Sequence, residues 1–316
     1  MSKFLKKIKK ALVIGIGGGA DIVGTIPMKS YLEEHGIQCL LGGLPWERYS
    51  IDPYPGPRSF DEIKKKKKFN ESICFINNKT ITKDGLKFSE TKVANFVKNK
   101  IIFINIFNSI RQIAADLNEF IKDQEIDYVV GVDVGGDVLA IGDEEGLASP
   151  LADSIMLNVL KILEAKCLTH LGVLGYGSDG ELKINEINKC MAIASSKKGL
   201  VGSVGLSVDA YKAMKKIIKK VETDASRIPL LSFEGSYGNH PIRRGRIQVE
   251  VHPMSQITFL FKPTVVFKNL SKPSQLISKS KSFYESNEIL LTNSISSEFN
   301  YEVRKHMEAT SSKNKE

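Results

Sequence analysis

Cysteine is scarce in this chain of 316 residues. There are four, Cys39, Cys74, Cys167 and Cys190, far apart and never as C-x-x-C. That spacing excludes a zinc ribbon and a thioredoxin-type redox pair. Each stands among apolar neighbours, where a free thiol behaves as a small hydrophobe. Long apolar runs are missing too: none approaches the ~20 residues of a membrane-spanning helix. The basic start MSKFLKKIKKA leads into a strand-like stretch and not into a signal-peptide core, so the chain is expected in the cytoplasm. No G-x-S-x-G elbow, Walker A lysine or H-E-x-x-H helix is present, which removes the standard serine-hydrolase, P-loop and zincin mechanisms. His35, His170, His252 and His306 have no partner at metal-ligand spacing, and His170, inside an apolar strand, reads as a core residue.

The net charge of +9 is local in origin. Five lysines fall in the first ten residues and five more form the run Lys64–Lys68. The rest of 11–195 carries 15 basic and 25 acidic residues, whereas 196–316 carries 20 and 11. Lysine runs of this kind read as flexible, hydrated segments, and a uniform basic face is not implied. Nucleic-acid binding through the two tracts stands as a rival reading, with a steep salt dependence as its signature.

Short apolar runs at Ala11–Ile14, Ile37–Leu41, Ile101–Ile104, Tyr128–Val132 and Leu168–Leu174 read as buried parallel strands. Helical patterns lie between most of them: from Asp21, a candidate N-cap, to His35; Asn108–Lys122; and from the Ser149-Pro150 cap to about Glu164. The alternation predicts an α/β fold: a Rossmann-like open, mainly parallel sheet over 1–195, with a C-terminal α/β extension over 196–316 containing antiparallel strands. A proline-rich insertion, running from Pro45 and Trp46 to Arg58, interrupts the pattern as an ordered irregular loop. Ile73–Ile76 and Thr80–Thr82 read as a hairpin around Asn77-Asn78. The tail from Lys272 shows weak helical patterning at Ser296–Met307 and a frayed end.

Three glycine-rich turns follow strands. The first is Gly15-Ile16-Gly17-Gly18-Gly19-Ala20-Asp21. Glycines there permit a sharp turn and close approach of a ligand, and helix-start amides point at an anion. A nicotinamide site is disfavoured, because the second strand ends in Leu41-Gly42-Gly43-Leu44 without the acid that holds a ribose. Asp21 would repel a pyrophosphate or hold it through a metal ion. The second turn, Asp133-Val134-Gly135-Gly136-Asp137, runs on through Asp143 to Asp153. Asp133, Asp137 and Asp143 either gather a hard cation or sugar hydroxyls, or the acids cap helix amides. The third, Gly175-Tyr176-Gly177-Ser178-Asp179-Gly180, also follows a strand. Ligands of open α/β sheets bind at the carboxyl ends of strands, so all three turns are expected on one rim.

The strings GIGGGAD, LGGLPWER with PGPR, and GVDVGGD with GDE and SPLAD resemble the archaeal and bacterial family called domain of unknown function 1152, over roughly the first 180 residues. Ala20 stands where members more often have glycine. The resemblance implies a shared α/β domain and supplies no activity.

Two further features complete the candidate site. Arg243 and Arg244, after Glu234–Pro241, offer planar forks for a phosphate or carboxylate; a solvated basic hairpin is the alternative. Trp46 and Arg48 lie in the insertion, the indole either stacking on a ring or anchoring the loop. The expected function is binding of a nucleotide-like or phosphorylated, anionic small molecule. If the chain is an enzyme, a metal-assisted transferase or hydrolase is expected, with Mg²⁺ on Asp133 and Asp137, Asp21 as ligand or base, and the Gly17–Gly19 amides cradling an anion. A non-catalytic nucleotide sensor is the alternative. A homo-oligomer is compatible with the sequence.

Overall fold

The computed structural model describes residues 5–97 and 100–313. Its strands are β1 (Lys10–Gly15), β2 (Gln38–Gly43), β3 (Ile63–Lys64), β4 (Lys67–Lys68), β5 (Ile73–Ile76), β6 (Ile81–Thr82), β7 (Ile101–Ile104), β8 (Tyr128–Val134), β9 (Leu168–Leu174), β10 (Leu200–Gly205), β11 (Gly238–Ile242), β12 (Ile247–Val251) and β13 (Ile257–Phe261). The helices are α1 (Asp21–Glu34), α2 (Ser89–Val93), α3 (Ile110–Asp123), α4 (Pro150–Leu163), α5 (Ile184–Ser196), α6 (Val208–Ile217), α7 (Ile228–Phe233), α8 (Pro263–Asn269), α9 (Lys272–Leu276), α10 (Phe283–Thr292) and α11 (Glu298–Lys313). Among the described residues, no helix is long and apolar enough to cross a membrane.

Nine strands form one sheet in the order β10-β13-β9-β8-β1-β2-β7-β5-β4. The five central strands, β9-β8-β1-β2-β7, are parallel. The α/β class and the mainly parallel sheet are as the alternation predicts. The chain runs outward from β1 through β2 to β7, then returns to β8 on the other side of β1. The strand order therefore reverses between β1 and β8, the place where such sheets hold ligands.

Apolar side chains cover both faces. One face packs α1, α2, α6 and α7 through residues such as Ile22, Val93, Met214 and Leu230. The other packs α3, α4, α5, α8 and α10 through Ile113, Leu157, Ile187, Val266 and Phe283. Helix α3 shows why such a segment folds: Ser109 accepts the Gln112 amide at 3.2 Å, and Ile110, Ile113, Ala114, Leu117, Phe120 and Ile121 turn one stripe inward.

Several local expectations are corrected. Ile81–Thr82 pairs with β3, and Ile73–Ile76 pairs with β7 and β4, so the Asn77 turn joins two sheets and closes no hairpin. The lysine run is in part ordered, contributing to β3 and forming edge strand β4; exposed lysines on an edge discourage pairing with another chain. Of the N-terminal lysines, Lys3 lies outside the described residues. The expected antiparallel strands after residue 196 are present: β10 and β13 extend the sheet beyond β9, antiparallel to each other. The weakly patterned tail contains α11, whose Glu298 accepts the Leu151 and Ala152 amides at the start of α4. The end of the tail, 314–316, lies outside the described residues.

Candidate functional site

Because β9, β8 and β1 are neighbours, the turns that follow them meet on one rim. The Gly177 amide donates to the Gly135 carbonyl at 2.6 Å, stitching the second and third turns together. Gly135, at φ +140°, leaves room for Asp179, whose Oδ2 would lie 2.1 Å from a Cβ built there. Gly17 makes room in the first turn: its Cβ would sit 2.7 Å from Asp21 Oδ2 and 2.9 Å from Asp153 Oδ2.

Carboxylates fill the meeting point. Oxygens of Asp21, Asp133 and Asp153 lie within 4.8 Å of one another, as do those of Asp137, Asp179 and Glu181. All but Asp21 are 5% exposed or less. Burial, the largest cause, pushes Asp21 up to about 7, and Asp179 acts in the same direction, against the Gly17 amide and Arg48. Asp179 is likewise raised to about 7, by burial and then by Glu181. Asp133, Asp137 and Asp153 lie well above the ordinary carboxylate range, from burial first and neighbouring acids second.

The two groups differ in their spare oxygens. Glu181 accepts from the Ala148 and Ser149 amides, from the Ser149 hydroxyl and from Arg243. Those four donors use the lone pairs of a carboxylate, so Glu181 is a structural clamp on the loop before α4. Asp153 Oδ1, by contrast, is buried with no hydrogen-bond partner. Asp21 Oδ2 accepts the Gly17 amide at 2.9 Å, and the Val134 backbone also bears on this carboxylate. The Asp21–Asp133–Asp153 group therefore has a buried oxygen free to hold a hard cation.

Most of the expected residues come together here. Gly15, Gly17–Gly19, Asp21, Asp133, Gly135, Gly136, Asp137, Gly175 and Gly177 line the three turns. Arg48 is exposed at the mouth, its Nε 3.4 Å from the Gly19 Cβ position. Arg243 reaches the rim from the β11–β12 hairpin, 3.3 Å from Glu181 Oε1.

Asp133 and Asp137 are neighbours through their side chains, and each also belongs to a different group of three acids. Other expectations do not hold. The Gly17–Gly19 amides form no open anion cradle, since Gly17 donates to Asp21 and Gly19 donates to the Trp46 carbonyl at 2.6 Å. Asp21 is the first residue of α1 and Ala20 its N-cap. Asp143 is exposed and outside both groups. Arg244 is exposed on the hairpin turn. Trp46 anchors its loop: the indole is 3% exposed, meets Phe283 edge-on and donates to Glu302 Oε2 at 3.0 Å. A concavity of about 470 Å³, lined by Tyr54, Phe107, Tyr284, Phe299 and His306, contains none of the six carboxylates.

From sequence, Asp153 and Asp179 stand only as members of the second and third turns, with no role of their own, and Glu181 is not singled out. Their signals were present, Asp153 in the first turn after Ser149-Pro150, Asp179 within the third glycine turn and Glu181 directly behind it. Glu298 is a further acid, half-buried, pushed up to about 7 by desolvation against the pull of the Ala152 and Leu151 amides.

No curated protein and no solved structure matches this chain. The sequence model of the family described as "Protein of unknown function (DUF1152)" matches residues 12–306, well past the 180 residues that carry the resemblance by eye and through β13 and most of α11. The chain belongs to that family.

Proposed function

We propose that this protein binds a phosphorylated or nucleotide-like metabolite through a divalent cation on Asp21, Asp133 and Asp153, and that it transfers or hydrolyses the phosphorylated group in the cytoplasm. The observation that carries the reading is the unpartnered Asp153 Oδ1 inside a carboxylate triad at the point where strand order reverses. Like charges so close in a dry site need a cation or protons between them. An all-carboxylate set suits hard ions such as Mg²⁺ or Mn²⁺. Such an ion, when bound, neutralises phosphate charge and polarises a phosphoryl oxygen. Arg48 and Arg243 flank the rim and favour an anion at its mouth. Asp179, which titrates near 7 and feels both arginines, is suited to take a proton from an attacking hydroxyl or water.

Mn²⁺ titration at pH 8, followed by paramagnetic resonance, tests the cation site. The expected result is a saturable site in the wild type, weakened at least tenfold in Asp133→Asn and Asp153→Asn. Absence of saturable binding would overturn the proposal. Multiple-turnover assays with nucleotides and sugar phosphates in Mg²⁺ then separate an enzyme from a sensor, which binds without forming product.

A further inference from the structure

Strand β2 ends at Gly43 with no acid of its own, at the position where an open sheet of this strand order holds a nucleotide ribose. The tertiary structure brings two acids there from elsewhere. Glu90, from α2, lies over Gly43, and a Cβ on that glycine would be 2.2 Å from Glu90 Oε1 and 2.7 Å from its Cγ. Only glycine leaves this space. Glu47, four residues past the strand, joins it. Its Oε1 accepts the Ser89 amide and the Ser89 side chain also bears on the carboxyl, while its Oε2 is buried without a hydrogen bond of good geometry. Both glutamates are 2% exposed. Trp46, the residue before Glu47, accepts the Gly19 amide at 2.6 Å, so the pair lies beside the first glycine turn, which leads into Asp21.

The ligand that suits this pair can be argued by exclusion. A phosphate would meet two carboxyl groups and be repelled. An apolar group would leave Glu47 Oε2 under-satisfied, at the desolvation cost of a buried polar acceptor. A ligand with adjacent hydroxyls offers two donors to two neighbouring acceptors and adds no charge. We propose that Glu47 and Glu90 form a vicinal-diol subsite, which takes the ribose of a ligand whose phosphate is held beside Asp21, Asp133 and Asp153. This rests on the function proposed above and narrows its ligand class to ribosyl phosphates and ribonucleotides.

The test compares ribose 5-phosphate and ADP, each with its 2-deoxy counterpart, by calorimetry on the full chain saturated with Mn²⁺. A site built around a hydroxyl discriminates strongly against ligands lacking it. The wild type is expected to prefer each ribo form by at least tenfold, and Glu47→Gln and Glu90→Gln to bring the ribo affinities down toward the deoxy values. The wild-type comparison stands even if a variant fails to fold. Equal ribo and deoxy affinities, or no binding of either ribo probe while Mn²⁺ binds, would overturn the subsite and leave the cation site intact. Ribo preference without any Mn²⁺ binding would support the subsite and overturn the cation reading alone.

Discussion

At the residue scale, the buried acids make stability depend on pH with a definite sign. Their native pKa values are raised, so between about pH 4 and pH 7 the folded chain holds more protons than the unfolded one. Stability is then fully present at the acidic end of that window and is lost as pH rises through it. In chelator, Asp153→Asn is expected to melt about 2–6 °C above the wild type at pH 8. The gap should close near pH 4.5 and narrow when Mn²⁺ is added; scanning calorimetry across pH reads all three. A variant that melts lower than the wild type at pH 8 would contradict the account. Gly17→Ala tests the packing of the triad. Its methyl must displace Asp21 and Asp153, with at least a tenfold loss of Mn²⁺ affinity expected by calorimetry. The sequence showed acids among glycines here, yet not how they divide. The sharing out of Asp133 and Asp137 between two groups depends on which side chain each turn points inward, and a one-dimensional motif does not encode that.

At the scale of elements, the strands and long helices were legible because burial on both sheet faces leaves continuous apolar runs and burial on one face leaves a stripe. Short elements were not. β3, β4 and β6 have two residues each, too few for a period, and only their partners define them. Capping is another case. Ser149-Pro150 marks the start of α4, but the Ser149 hydroxyl turns to Glu181 and the helix amides are taken by Glu298, 147 residues from Leu151. Glu298→Ala should therefore cost about 1–3 kcal/mol in urea unfolding, as two bonds to a charged acceptor are lost. An unchanged midpoint would mean that α11 does not support α4.

For the whole molecule, the C-terminal segment closes the site region from outside the central sheet. Glu302 holds the Trp46 indole and the Gly56 amide at 2.8 Å, and Trp46 is the chain's single tryptophan. Its emission thus reports on docking of α11. A chain ending at residue 295 is expected to show red-shifted fluorescence and a lower melting temperature; a blue, unchanged spectrum would show that the loop holds the indole without α11. The C-terminal extension over 196–316 joins the first half through β10 and β13, which continue the sheet beyond β9.

Local pattern alone determined the α/β class, the central parallel strands and the three glycine turns, because periodicity, backbone freedom and caps act within a few residues. The division of the acids, the arrival of Glu90 over Gly43 and the docking of α11 on Trp46 were decided by tertiary structure. Each joins residues far apart in the chain, and only packing of the sheet and its covering helices brings such charges within a few ångströms.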